Sequence, residues 1–161
     1  MKIRKVTVNN RRRCFDVQIS RGVLSFPYKR CDPPPSQSDR VVDVGVDPEL
    51  GREGFTYRLA SGAEGSVHVD SVLDVNGDPD YLARLELYRL TLEAKARLET
   101  TGLSMRQVAA RLGTSPTQMY RLLDPTNYSK SARQLLAALA LGGATVKVAD
   151  AAGDPHRKIP A

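Results

Sequence analysis

The sequence predicts an α+β chain. An N-terminal antiparallel β-meander or small β domain is followed by a C-terminal all-α bundle with a short closing strand. Three observations carry this expectation. Apolar residues alternate with period two up to about residue 75, the spacing of half-buried strands. From Asp78 they recur at steps of three and four, the spacing of one helix face. Proline and glycine cluster between these runs, where turns and loops are needed. The length of 161 residues suits one domain or two small ones.

Ile3, Val6 and Val8 form a short β-branched run. Phe15, Val17 and Ile19 then alternate with Cys14, Asp16, Gln18 and Ser20. Ser20, Arg21 and Gly22 supply a tight turn, and Val23, Leu24, Phe26 and Tyr28 continue beyond it, so the pair reads as a hairpin. Cys31–Asp39 is a loop, because Pro33, Pro34 and Pro35 lack amide donors and fix φ. Val41–Val46 is another strand and Asp47–Gly54 a second loop. Phe55–Leu59 and Ser66–Val72 alternate again across the glycine-bearing turn Ser61–Gly65. The total is five or six short strands, a β-meander or small barrel.

Asp78 and Pro79 have the form of an N-cap followed by proline at the first helical position. Tyr81, Leu82, Leu85, Tyr88, Leu92 and Ala96 then follow helical steps. Leu87, Leu90 and Leu98 widen that face, so this helix is expected to pack on both sides. Gly102 ends it. The domain boundary falls near Val75–Gly77, which separates a β-rich domain over 1–75 from a helical domain over 78–148. The last stretch, 150–161, carries Gly153, Pro155 and Pro160 and is expected to be disordered.

Composition removes several classes. The mostly apolar run around Leu135–Leu141 is far shorter than the twenty or so residues that cross a bilayer. No apolar stretch follows Met1–Lys5, so a secretory signal is not expected. Two cysteines cannot staple a secreted mini-domain, and a reducing cytoplasm is the expected compartment. Charge is unevenly placed. Residues 1–30 hold nine basic groups and one acid, residues 31–81 three basic and eleven acidic, and residues 82–161 twelve basic and six acidic. The net +6 of the chain therefore equals the excess of its second half. A basic second half with a basic N-terminal edge suggests a polyanionic partner. Arg11–Arg13 read equally well as a solvated turn.

Residues 103–124 carry the most specific pattern. Ser104 is a fitting N-cap for a helix over Met105–Leu112, and Gly113 ends that helix where left-handed geometry is needed. Ser115 and Pro116 start a second helix, and Asp124 and Pro125 terminate it. A connection of about three residues forces two short helices to cross steeply. Val108, Ala109 and Leu112 supply the first helix's apolar side, and Met119 and Leu122 the second's. With the turn Arg111–Gln118, this segment resembles the helix-turn-helix of the Xre/λ-repressor-like family. The continuation Arg121–Ser129 is similar to members found among HicB-type antitoxins and related bacterial regulators. The resemblance covers residues 82–148 and implies a helix-turn-helix bundle, with Ser131–Gly142 as a support helix and Ala144–Val148 as the closing strand. Pro116 departs from it by standing where many relatives carry a polar base-reading side chain.

An α-helix fits the major groove of DNA, where each base pair presents a distinct donor and acceptor pattern. Entering N-terminus first, the second helix leaves Ser115, Thr117, Gln118, Tyr120 and Arg121 outward as base-reading candidates. Gln118 suits adenine, and Arg121 guanine or a phosphate. Arg106, Asn127, Tyr128, Ser129 and Lys130 are the candidates for backbone phosphates. The expected protein is thus a cytoplasmic DNA-binding transcriptional regulator, acting as a homodimer on a palindromic operator of double-stranded DNA. The alternative is an antitoxin that binds a toxin through the β domain and represses its own operon. In either case the β domain serves dimerisation or partner binding.

Other signals are weaker. Cys14, Cys31, His68 and His156 match no metal-ligand spacing, so no metal is expected. His68 and Asp70 would share a strand face, yet no nucleophile elbow frames them. No glycine-rich phosphate loop is present. Neither a catalytic residue nor a cofactor is expected, and the chain does not read as an enzyme.

Overall fold

The computed structural model describes residues 1–147. The chain divides into two compact units, one ending at Tyr81 and the other beginning at Leu82.

In the first unit, β1 (Lys5–Asn9), β2 (Cys14–Ile19) and β3 (Gly22–Pro27) form an antiparallel sheet with β2 in the middle. β4 (Val41–Asp47), β5 (Gly54–Leu59) and β6 (Glu64–His68) form a second antiparallel sheet with β5 in the middle. The two central strands bury most: Phe15 and Val17 on β2, and Phe55, Tyr57 and Leu59 on β5. Phe15 joins the two sheets. Its ring meets Phe55 edge-on with centroids 5.0 Å apart and lies 5.2 Å from Tyr57. On its own side it meets Tyr28, in the short 3-10 turn after β3, at 5.0 Å. Helix α1 (Val69–Val75) completes this core with Val69, Val72 and Leu73, all fully buried.

The second unit holds most of α2 (Pro79–Thr100), then α3 (Met105–Arg111), α4 (Pro116–Leu122) and α5 (Ala132–Leu141). The Tyr81 amide donates to Asp78 Oδ1 at 2.9 Å, which caps the start of α2. Ala94 and Leu98 of α2, Val108 of α3, Met119 of α4, and Leu135 and Leu139 of α5 meet in one core.

The expected fold class needs correction. The strands do not form one meander or small barrel followed by an all-helical bundle with a closing strand. They form two separate three-stranded sheets, each paired only within itself. The run Ser66–Val72 is not a strand throughout. β6 stops at His68, and α1 begins at Val69. The Asp70 amide donates to His68 Nδ1 at 3.3 Å, so His68 caps a helix. Val69, Val72 and Leu73 are spaced three and four apart, and all three are buried. That helical spacing continues directly from the strand alternation and hid behind it. The expected closing strand at Ala144–Val148 is also absent: residues 144–147 form no strand, and residue 148 lies outside the described residues. Among the described residues every strand belongs to the first unit. A lone strand at 144 would leave its amides and carbonyls unpaired. The expected disordered tail, 150–161, lies outside the described residues.

The sheet core makes two stability predictions. Removing the Phe15 ring by Phe15→Ala leaves a cavity between the sheets and should cost about 3–5 kcal/mol of stability in chemical denaturation. Gly65→Ala should cost about 1–3 kcal/mol. A Cβ there would run into the Tyr57 ring end and come within 2.6 Å of the Asp32 carbonyl oxygen. Tyr57 cannot easily give way, because its hydroxyl donates to the Pro33 carbonyl at 2.6 Å.

Candidate nucleic-acid interface

The core of the site is the α3–turn–α4 pair. Ser104 caps α3 reciprocally: its amide donates to Gln107 Oε1 at 2.8 Å, and the Gln107 amide donates to Ser104 Oγ at 3.4 Å. Such a capping box satisfies two amides that the helix leaves free. Gly113 then turns the chain with φ of +64°. Its amide donates to the Ala110 carbonyl at 3.2 Å, and the Thr114 amide donates to the Ala109 carbonyl at 2.9 Å. Ser115 caps α4, accepting from the Gln118 amide at 3.2 Å, and Pro116 occupies the first turn.

α4 has two sides. Met119 and Leu122 are buried, and Met119 is fully so. Thr117, Gln118, Tyr120 and Arg121 are exposed, Tyr120 by 64%. Ser115 is exposed at the helix start. Gln118 borders two clefts. One, of about 600 Å³, is also lined by Arg121, Asn127, Ser129 and Gln134. The other, of about 260 Å³, runs past Gly113 and Thr114 to Arg133 and Gln134. Of the candidate base readers, Gln118 and Arg121 thus border the polar first turn of α5, whereas Ser115, Thr117 and Tyr120 are exposed but line neither cleft.

The phosphate candidates separate. Arg106 is exposed on α3 and lines neither cleft. Ser129 is exposed at the rim of the larger one. Tyr128 is 48% exposed, with the Arg84 guanidinium 5.8 Å from its ring centroid. Asn127 is half-buried: its amide nitrogen donates to the Arg121 carbonyl at 3.0 Å and closes the end of α4. Lys130 turns inward. Its ammonium donates to Thr91 Oγ1 at 2.7 Å and to the Asp124 carbonyl at 2.6 Å. Burial pushes its pKa below the usual lysine value. Lys130 thus ties the loop after α4 to α2. Asp124 beside it accepts from the Thr126 hydroxyl and amide, and these bonds hold its carboxyl below the usual range.

Arg133, Gln134 and Thr114 reach the clefts without having been singled out in the sequence. Ser131 is an evident N-cap, accepting from the Gln134 amide at 3.4 Å. Polar residues three positions into that helix could have been read as facing back toward α4.

In the first unit Arg11–Arg13 form the exposed β1–β2 turn. Arg12 and Arg13 border a cleft of about 520 Å³ with Lys29, Pro34 and Pro35. Cys14 and Cys31 are free and buried. Desolvation pushes Cys31 up to about 11, which marks an unreactive thiol. His68 and Asp70 are a half-exposed pair at a helix start, 3.6 Å apart. Among the described residues no group of three potential metal ligands converges, and no helix is long and apolar enough to cross a membrane.

No model of a known protein family matches this sequence, and no curated protein or solved structure is detectably similar to it.

The geometry predicts two further outcomes. Space around Gly113 is open, so a substitution there is penalised by φ alone. Gly113→Val should lower the stability of the second unit by at least about 1–2 kcal/mol, measured by thermal melting. Lys130→Met keeps the stem but leaves Thr91 and the Asp124 carbonyl without their charged donor. It should destabilise the same unit by about 1.5–3 kcal/mol, whereas a lysine serving only a phosphate would leave melting unchanged.

Proposed function

We propose that this protein is a sequence-specific DNA-binding regulator that reads the major groove with α4, as a homodimer on a palindromic site. The observation that carries this reading is the two-sided build of α4. Met119 and Leu122 seat it on the core, while Thr117, Gln118, Tyr120 and Arg121 stand outward on one side. A helix so held can enter a groove without unfolding anything behind it, and the pairing of an amide with adenine or a guanidinium with guanine needs that rigidity. The excess of positive charge on residues 82–161 supports it, since the phosphate backbone supplies most of the affinity of such contacts. Because Lys130 and the Asn127 amide are engaged internally, the proposed phosphate contacts are Arg106, Tyr128 and Ser129, joined by Arg133 at the start of α5.

Selection from a random duplex pool should enrich one palindrome. Binding to it should weaken with salt, at about 0.9 in log K per log salt for each phosphate neutralised. Gln118→Ala and Arg121→Ala should each cost roughly 1–3 kcal/mol on the selected duplex and relax discrimination at one position. Arg133→Ala should weaken selected and scrambled duplexes alike and lower the salt slope by about one. No enrichment, or a selected-to-scrambled ratio that survives Gln118→Ala and Arg121→Ala together, would refute the reading.

A further inference from the structure

α2 is apolar on two sides, and its own unit covers one. Thr91, Ala94 and Leu98 are buried against the helical core. Leu85, Tyr88, Leu92 and Ala96 lie on another side, within about 80° of one another at 100° per residue. Tyr88 and Leu92 are 40% and 43% exposed, Ala96 is exposed and Leu85 half-buried. The helix therefore has almost no net amphipathicity, although it borders water. A surface helix normally shows polar residues on its outer side.

The order of this outer stripe reads nearly the same in both directions. A second α2 laid antiparallel about a point midway between residues 90 and 91 sets Leu85 opposite Ala96, and Tyr88 one residue step, about 1.5 Å, from the level of Leu92. The flanking charges agree. Arg89 then lies one residue step, about 1.5 Å, from the level of Glu93 of the second copy, within reach of these long side chains, and Glu93 likewise from its Arg89. Within one chain these side chains make only exposed ion pairs, Arg89 with Glu86 at 3.0 Å and Glu93 with Arg97 at 2.7 Å. Exposed pairs of this kind contribute little, so exchanging them across an interface costs little. A contact in which the same patch serves both subunits is the ordinary form of a two-fold dimer.

We propose that two copies of this chain associate through the outer side of α2, antiparallel about a two-fold axis near residues 90 and 91, with Arg89 of each paired to Glu93 of the other. This interface would supply the homodimer of the proposed DNA reading and rests on that part of it, but it is measured without DNA, so its failure leaves the groove contacts of α4 to be judged separately.

The test is sedimentation velocity on the full chain over a range of concentrations, with circular dichroism to confirm helix content. The wild type should move from monomer to twice the monomer mass as concentration rises. Leu92→Glu should keep its helix content and remain monomeric. Arg89→Glu and Glu93→Arg should each weaken the dimer several-fold, and the two together should restore it. A wild type that stays monomeric, a dimer that survives Leu92→Glu, or a double variant no stronger than the single ones would each overturn the proposal.

Discussion

The candidate interface is governed by helix length. α3 and α4 have seven residues each, and isolated helices shorter than about 12–15 residues are marginal in water. Helical propensity alone would not hold Gln118 or Arg121 in place. What holds them is the burial of Val108, Ala109, Met119 and Leu122, together with caps at both helix starts. Burying a side chain such as Met119 contributes about 1.5–3 kcal/mol. The inward residues of α4 thereby fix where its outward residues point, and a contact surface of polar side chains depends on an apolar one behind it.

Polar contacts then restrict the loop that follows. Asn127 satisfies the Arg121 carbonyl, one of those that a helix end leaves free. Lys130 binds α2 through Thr91, and the Thr91 hydroxyl in turn donates to the Leu87 carbonyl within its own helix. Thr91 is fully buried, and a buried hydroxyl without partners would be costly. The lysine that looked like a surface cation is therefore part of the frame that orients α4, while Arg133 and Gln134 take the outward places beside it.

The first unit meets a comparable constraint with different means. A three-stranded sheet has one face to bury and needs something to lie against. Here each sheet covers the other, with Phe15 between Phe55 and Tyr57, and α1 adds three more buried side chains. The close fit of Tyr57 over Gly65 explains a glycine inside a strand, where an ordinary side chain would otherwise be expected. The basic β1–β2 turn is held from beneath: the Tyr28 amide donates to the Arg13 carbonyl, and the Tyr28 hydroxyl to Asn10.

Features decided by interactions within about four residues are legible in the chain's order of residues. Ser104 with Gln107, Ser115 with Pro116, and Gly113 are capping and turn signals whose partners lie next to them, and the structure has them in those roles. The hairpin at Ser20–Gly22 and the start of α2 after Asp78 were legible for the same reason. Long-range packing settles the remainder. Alternation says which residues of a strand are buried, but not which strands pair, so two sheets and one meander read alike. Val69 to Leu73 fits a strand or a helix until the core beneath it is known. A strand at Ala144 could not be judged without knowing that no other strand lies among the described residues of its unit. Lys130 turns inward because a hydroxyl 39 residues earlier awaits it, and no local pattern encodes a partner that distant.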